Sequence, residues 1–154
     1  MPDTDAAVIT VGQETETYLA PLLGRLVDSG LRHCTAGSPA DLPALLDGMA
    51  KDSRRAILVY SGPGSGVAEQ VLEGLAASHP DAPVIVVVNQ CNVDEYYELM
   101  SQGAYDYFAL MEGSGVIETA IRWAAHTHAV PARTAALRSE NTGGTAPPAP
   151  PSRV

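Results

Sequence analysis

Short β-branched runs alternate along the chain with stretches whose apolar positions recur every three or four residues. Ala7, Val8, Ile9, Thr10 and Val11 form the first run, ended by Gly12. Tyr18, Leu19, Leu22, Leu23, Leu26 and Val27 then recur at helical spacing and stop at Gly30. Pro21 has no amide N–H, and a first helical turn needs none, so the spacing predicts a helix opening near Thr17. Residues 31–35 read as a short second strand. Ser38 and Pro39 read as the cap and first position of a helix through Leu42, Leu45, Leu46 and Met49. Ile57, Leu58, Val59 and Tyr60 predict a third strand running into the turn Ser61-Gly62-Pro63-Gly64-Ser65-Gly66. Val67, Val71, Leu72 and Leu75 mark the next helix. Val84–Val88 is apolar at every position, as in a strand buried on both faces. Asn92 followed by Glu95 is a capping-box pattern opening a helix through Leu99 and Met100. Residues 105–110 predict a fifth strand, and Ser114 caps a last helix carrying Ile117, Ala120, Ile121 and Ala124.

Five strand-then-helix units predict an α/β fold, a parallel five-stranded sheet covered by helices on both faces as a three-layer sandwich. Five strands suit the flavodoxin-like, doubly wound (βα)5 order 2-1-3-4-5 better than a six-strand dinucleotide-binding order. In such sheets ligands sit beyond the carboxyl ends of the strands, at the switch point between the first and third. Functional residues are therefore expected just after Val11, Tyr60 and Val88 and at the end of the fifth strand.

Composition divides the chain and narrows the partners. Residues 1–130 carry the alternating pattern, and 131–154 are rich in Pro, Ala, Gly and Ser, as in a disordered tail or linker. That tail has Arg133, Arg138 and Arg153 against Glu140, so it holds a net charge of +2 and leaves −11 on the rest of a chain of net charge −9. Such acidity argues against a nucleic-acid partner and against a polybasic membrane surface. No apolar run approaches the ~20 residues of a membrane span, and the N-terminus lacks a signal-peptide pattern. The two cysteines, Cys34 and Cys91, form no framework, so a cytoplasmic location is the expectation.

The switch-point positions offer little chemistry. After the first strand stand Gly12, Gln13 and Glu14, a lone acid where a Mg²⁺ site wants converging carboxylates. The glycine turn at Ser61 lacks the Lys-Ser/Thr of a phosphate-binding loop and the spacing of a nucleophile elbow. Cys91 has no basic neighbour in sequence to lower its pKa, and His33, His79, His126 and His128 read as solvent-exposed. No cofactor fingerprint is present, and no enzyme is expected.

Val84–Val88 followed by Gly103-Ala104-Tyr105-Asp106-Tyr107-Phe108 resembles the second half of response-regulator receiver domains, where a PVIVLTA-like strand precedes a GADDYLVKP-like one. The resemblance spans about residues 6–128. In that family two acids after the first strand bind Mg²⁺, and an Asp ending the third accepts phosphate. A Ser or Thr ending the fourth strand and a Lys ending the fifth contact the phosphoryl group. Carried onto this chain, the acid pair falls on Gly12 and Gln13, and the acceptor on Ser61, or on Tyr60 with a different loop gap. The hydroxyl falls on Val88, the lysine on Leu110, the following Pro on Met111 and the aromatic switch residue on Tyr107. The resemblance thus implies a degenerate pseudo-receiver: a signalling module independent of phosphate that acts by protein contact, with a partner or a second copy. The face of helix 4, strand 5 and helix 5 would offer Tyr96 or Tyr97, Tyr105, Tyr107 and Trp123. An alternative is a small molecule in a more apolar crevice at Gly12, Ser61, Gly62, Val88, Asn89 and Leu110. An enzyme of flavodoxin-like fold is the weakest alternative, since no nucleophile–base pair can be assembled.

Overall fold

The computed structural model describes residues 6–49, 54–62 and 64–127. The tail assigned to 131–154 lies outside them. Strands β1 (Ala6–Val11), β2 (Arg32–Ala36), β3 (Arg54–Tyr60), β4 (Val84–Val88) and β5 (Asp106–Ala109) form one parallel sheet in the order β2-β1-β3-β4-β5. The three-layer, doubly wound flavodoxin-like architecture expected from the pattern is the one observed. The helices are α1 (Gln13–Tyr18), α2 (Ala20–Asp28), α3 (Leu42–Asp47), α4 (Val67–Ala76), α5 (Val93–Ser101) and α6 (Ser114–Thr127).

Two apolar layers flank the sheet because successive strand residues face opposite ways. Ile9, Val11, Ile57, Val59, Val84, Val86 and Val88 pack against α3, α4 and α5. Val8, Leu58, Ile85, Val87 and Phe108 pack against α2 and α6. β4 is buried on both faces, as its unbroken apolar run required, and so are β1 and β3 from Ala56 onward.

Prolines account for two departures from the sequence pattern. The expected first helix is two helices: α1 starts at Gln13, the chain kinks at Leu19, and Pro21 sits in the first turn of α2, where its missing N–H costs nothing. Residues Pro39–Asp41 form a 3-10 turn and α3 begins only at Leu42, with Pro43 in its first turn. Ser38 caps no backbone group there; its hydroxyl donates to Asp41 at 3.1 Å. Because of the α1/α2 break, the face assigned to helix 4, strand 5 and helix 5 is α5, β5 and α6. No helix among the described residues is long and apolar enough to cross a membrane.

Candidate functional site

The carboxyl ends of β1 and β3 meet at the switch point, and a side chain that sequence reading overlooked fills it. Thr15, on α1, is fully buried. Its hydroxyl donates to the Val11 carbonyl at 2.6 Å and accepts from the Tyr60 amide at 2.9 Å. One side chain thereby satisfies the last acceptor of β1 and the last donor of β3, groups a bound ligand would otherwise reach.

Gly12 precedes this plug with φ 86° and ψ 154°, a region essentially closed to residues with a Cβ. Its amide donates to the Ala36 carbonyl of β2 at 2.9 Å. An Asp at this position would strain the backbone by roughly 1–3 kcal/mol. Gln13 opens α1 and is exposed. Glu14, also exposed, lies over the next turn: its Oε1 would stand 3.9 Å from a Cβ added at Gly62. The residues at the acid-pair positions therefore do not fit a divalent cation, through backbone conformation as well as side-chain chemistry. Among the described residues no group of three His, Cys, Asp or Glu side chains is placed to hold a metal ion.

Beside the plug, Tyr60 ends β3 with its ring stacked on Tyr18 at 4.7 Å. Burial, then the neighbouring Tyr18 and Glu14, push the Tyr60 phenol above its ordinary pKa. Ser61 is buried; its amide donates to Val87 and its hydroxyl pairs with Ser65 Oγ at 3.3 Å. Neither group at the acceptor position is a carboxylate. Val88 is buried and Leu110 half-buried, so the hydroxyl and lysine positions are apolar.

Against the rim of β1 and β2, four polar side chains converge. Thr10 Oγ1 donates to Glu16, Thr35 Oγ1 donates to the same Glu16 oxygen at 2.7 Å, and His33 Nε2 lies 3.0 Å from it. Burial alone would raise the Glu16 pKa; the two threonine hydrogen bonds and His33 outweigh it and hold the carboxyl below its usual value. His33 is exposed, as expected, and is also paired with Glu16. His79 is half-buried, not exposed as expected, and is paired with Asp47 at 3.0 Å.

The crevice expected at Gly12, Ser61, Gly62, Val88, Asn89 and Leu110 is not one cavity. Gly12 and Gln13 line a shallow depression with Glu16, Thr17, Thr35 and Gly37. Ser61, Gly62, Val88, Asn89 and Leu110 line a separate groove of about 1050 Å³ between α4 and α5. Nor is that groove apolar. Glu69 from α4 and Asp94, Glu95 and Glu98 from α5 line it, with no lysine or arginine among its described walls. Asp94, Glu95 and Glu98 are close together on α5, but Glu69 is distant in sequence and joins them only because β4 brings α4 and α5 side by side.

Four aromatic residues were expected on the α5–β5–α6 face, and three of them are core. Tyr96, Tyr105 and Tyr107 are buried, because β5 alternates between two covered faces and Tyr96 points inward from α5. Tyr107 completes the capping pattern of α5. Asn92 Oδ1 accepts from the Glu95 amide at 2.9 Å, as expected, but the Glu95 carboxylate does not return directly. The Tyr107 hydroxyl stands between, donating to Glu95 Oε1 at 2.7 Å and accepting from the Asn92 amide at 3.1 Å. Burial first, then the Glu95 hydrogen bond, push this phenol far above its ordinary pKa. Trp123 alone of the four is exposed, at 66%.

The chain matches no protein-family model and no curated protein sequence. Solved structures of receiver domains do match it in three dimensions. The FixJ-N crystal structure superposes with a TM-score of 0.64 at 20% identity, covering 82% of this chain and 98% of that one. The receiver domain of a response regulator from Clostridium thermocellum gives 0.62 at 20% identity, covering 77% and 94%. The beryllofluoride-activated NtrC4 receiver-domain dimer gives 0.64 at 17%, covering 79% and 98%. Together with the strand order, this likeness shows that the chain has the receiver-domain fold.

Proposed function

We propose that this chain is a signalling module of the response-regulator type that works without phosphorylation, through protein contacts. The observation carrying this reading is the carboxyl edge. A Gly-only backbone stands in place of the first metal-binding acid, and Thr15 closes the strand gap beside it. Phosphoryl transfer is mostly positioning and charge stabilisation by metal and cation. Gly12, Gln13, Val88 and Leu110 supply neither, and Ser61 and Tyr60 supply no carboxylate to form an acyl phosphate.

The contact surface in this reading is the open side of α6. Arg25 of α2 pairs with Glu118 at 3.2 Å, which marks the flank of α6 facing α2. Val116, Ala120 and Trp123 lie on the other flank, toward the edge strand β5. Trp123 and Val116 are exposed, and Met111, just before the helix, is 82% exposed. Aromatic anchors of this kind concentrate binding energy in protein interfaces. Incubation with a small-molecule phosphodonor and Mg²⁺ should leave the chain unlabelled; a base-labile phosphate on it would overturn the proposal.

The groove between α4 and α5 favours a second reading, a small ligand bound at Ser61, Gly62 and Asn89. Its acidic lining selects a cationic ligand. A thermal-shift screen of amines and guanidines checks it: a binder present at about 100 times its Kd adds roughly 2.7 kcal/mol of stability, and no shift across the set removes this reading.

A further inference from the structure

At the amino edge of the sheet, opposite the switch point, the fold assembles the nucleophile–base pair that the sequence does not show. There α3 and α4 end and β3 and β4 begin, around a cavity of about 630 Å³. Ser78, His79 and Asp47 stand in its wall. The Ser78 hydroxyl lies 2.9 Å from His79 Nδ1, and His79 Nε2 lies 3.0 Å from Asp47 Oδ1.

Backbone hydrogen bonds set this chain of contacts. The amides of Ser78 and His79 both donate to the Leu75 carbonyl, at 3.2 and 2.7 Å, which turns the chain as α4 ends. The Ala82 amide donates to the His79 carbonyl at 3.2 Å, and Pro80 keeps the helix from running on. Asp47 is the last residue of α3, so one imidazole joins the ends of two helices. The His79 side chain is 13% exposed and that of Asp47 72%. So exposed a pair adds little stability; what it supplies is the orientation of the ring.

The Ser78 hydroxyl has one proton and two acceptors in reach, His79 Nδ1 at 2.9 Å and the Gly74 carbonyl at 3.4 Å, and the shorter contact is the stronger. With that proton toward His79, Nδ1 is the acceptor and Nε2–H donates to Asp47, which is the neutral imidazole. The order is nucleophile, base and orienting acid, with the two ring nitrogens exchanged relative to the usual Ser-His-Asp triad. Leu46, Met49, Ala82 and Pro83 give the cavity apolar walls. Arg55 follows the face of β3 from which Ile57 and Val59 meet α3 and α4, and it adds a permanent positive charge. Asp47 and Asp81 offset that charge for a free anion, so the described walls suit a neutral acyl group rather than a phosphate or a carboxylate.

We propose that Ser78, His79 and Asp47 form a hydrolytic site for neutral carboxylic esters with short apolar acyl groups. Ser78 Oγ attacks the ester carbonyl carbon as its proton passes to His79 Nδ1, and the carbonyl oxygen turns toward Arg55 as it gains charge. The bond between the acyl carbon and the alcohol oxygen then breaks, and His79 gives the proton to the leaving alcohol. Water, losing a proton to His79, attacks the acyl group, releases the acid and restores Ser78. Asp47 is a positioning residue that acts through the ring. The site shares no residue with the surface assigned above to protein contact and stands or falls apart from that reading.

The probe is p-nitrophenyl butyrate. Wild type should release p-nitrophenol over many turnovers, and mass spectrometry of acid-quenched protein should place a butyryl group on Ser78. Ser78→Ala should lower kcat/KM about 100-fold with unchanged circular dichroism, since the side chain is exposed. Asp47→Asn should lower kcat about tenfold at constant KM. Asp47→Glu should recover part of that loss, a split that a merely structural pairing does not produce. Equal rates for wild type and Ser78→Ala would overturn the proposal by making the imidazole alone the catalyst. Butyryl found only on other residues, or turnover no faster than that of free imidazole at the same concentration, would overturn it as well.

Discussion

At the β1–β3 end of the carboxyl edge, α1 sits tight against the strands and its side chains fill the gap. Thr15 ties β1 to β3, and Glu16 gathers Thr10, Thr35 and His33 across β1 and β2. At the β4–β5 end, α5 stands off from the edge and leaves a groove lined by acids. There a single phenol, Tyr107, anchors the head of the helix to β5. The same fold is thus closed at one end of its carboxyl edge and open at the other. The buried hydroxyl of Thr15 turns one of those ends into structure.

The sharpest way to break this comparison is Thr15→Val, which keeps the shape and removes the hydroxyl. The Val11 carbonyl and the Tyr60 amide would then be buried without their partner. Leaving such groups unmet costs about 2–4 kcal/mol together, read as a lower urea midpoint with an unchanged slope. A neutral Thr15→Val would mean that the closed end is not held by this residue. Tyr107→Phe makes the corresponding cut at the open end. It removes the link between Glu95 and the Asn92 amide while leaving the ring packed edge-on against Tyr96 at 5.8 Å. The expected loss is about 1–2 kcal/mol, smaller because the head of α5 is partly exposed and water can take over. A double-mutant cycle with Glu95→Gln should show coupling between the two positions; additive losses would disconnect Tyr107 from the cap.

How much of this could be read from residues alone follows the same division. Val84–Val88 announced a strand buried on both faces, and Asn92 with Glu95 announced the start of α5, because both signals are local and chemically specific. That Gly12, Gln13, Ser61, Val88 and Leu110 stand at the carboxyl edge was also legible, since each lies at or just past a strand end. Their division between two separate cavities was not. That depends on Thr15, a residue with no distinguishing neighbours, and on α1 starting four residues earlier than Pro21 alone suggested. The aromatic residues misled for a related reason. Tyr96, Tyr105 and Tyr107 carry a polar tip that fits an exposed face as well as a core. Only the alternation of β5 between two covered layers, with a buried partner for the Tyr107 hydroxyl, decides between them. Trp123 is exposed because α6 turns that position away from the positions at 117, 121 and 124 that face the sheet.

The smallest expected effect separates the two ends by acid. Glu16 belongs to the closed end, and its folded pKa lies below the ordinary carboxylate value because Thr10, Thr35 and His33 favour the charged form. A depressed carboxylate pKa contributes stability above the unfolded value of about 4.3, and that contribution is lost as pH falls through the folded value. The side chain is one-third exposed, so solvent screening keeps the contribution modest. Urea midpoints of the wild type and Glu16→Gln should therefore differ near pH 6 and converge as the pH is lowered below about 4. Midpoints that stay parallel over that range would show that the charge on Glu16 does not hold α1 to the strands. The closed end would then rest on Thr15 alone, with its buried hydroxyl insensitive to acid.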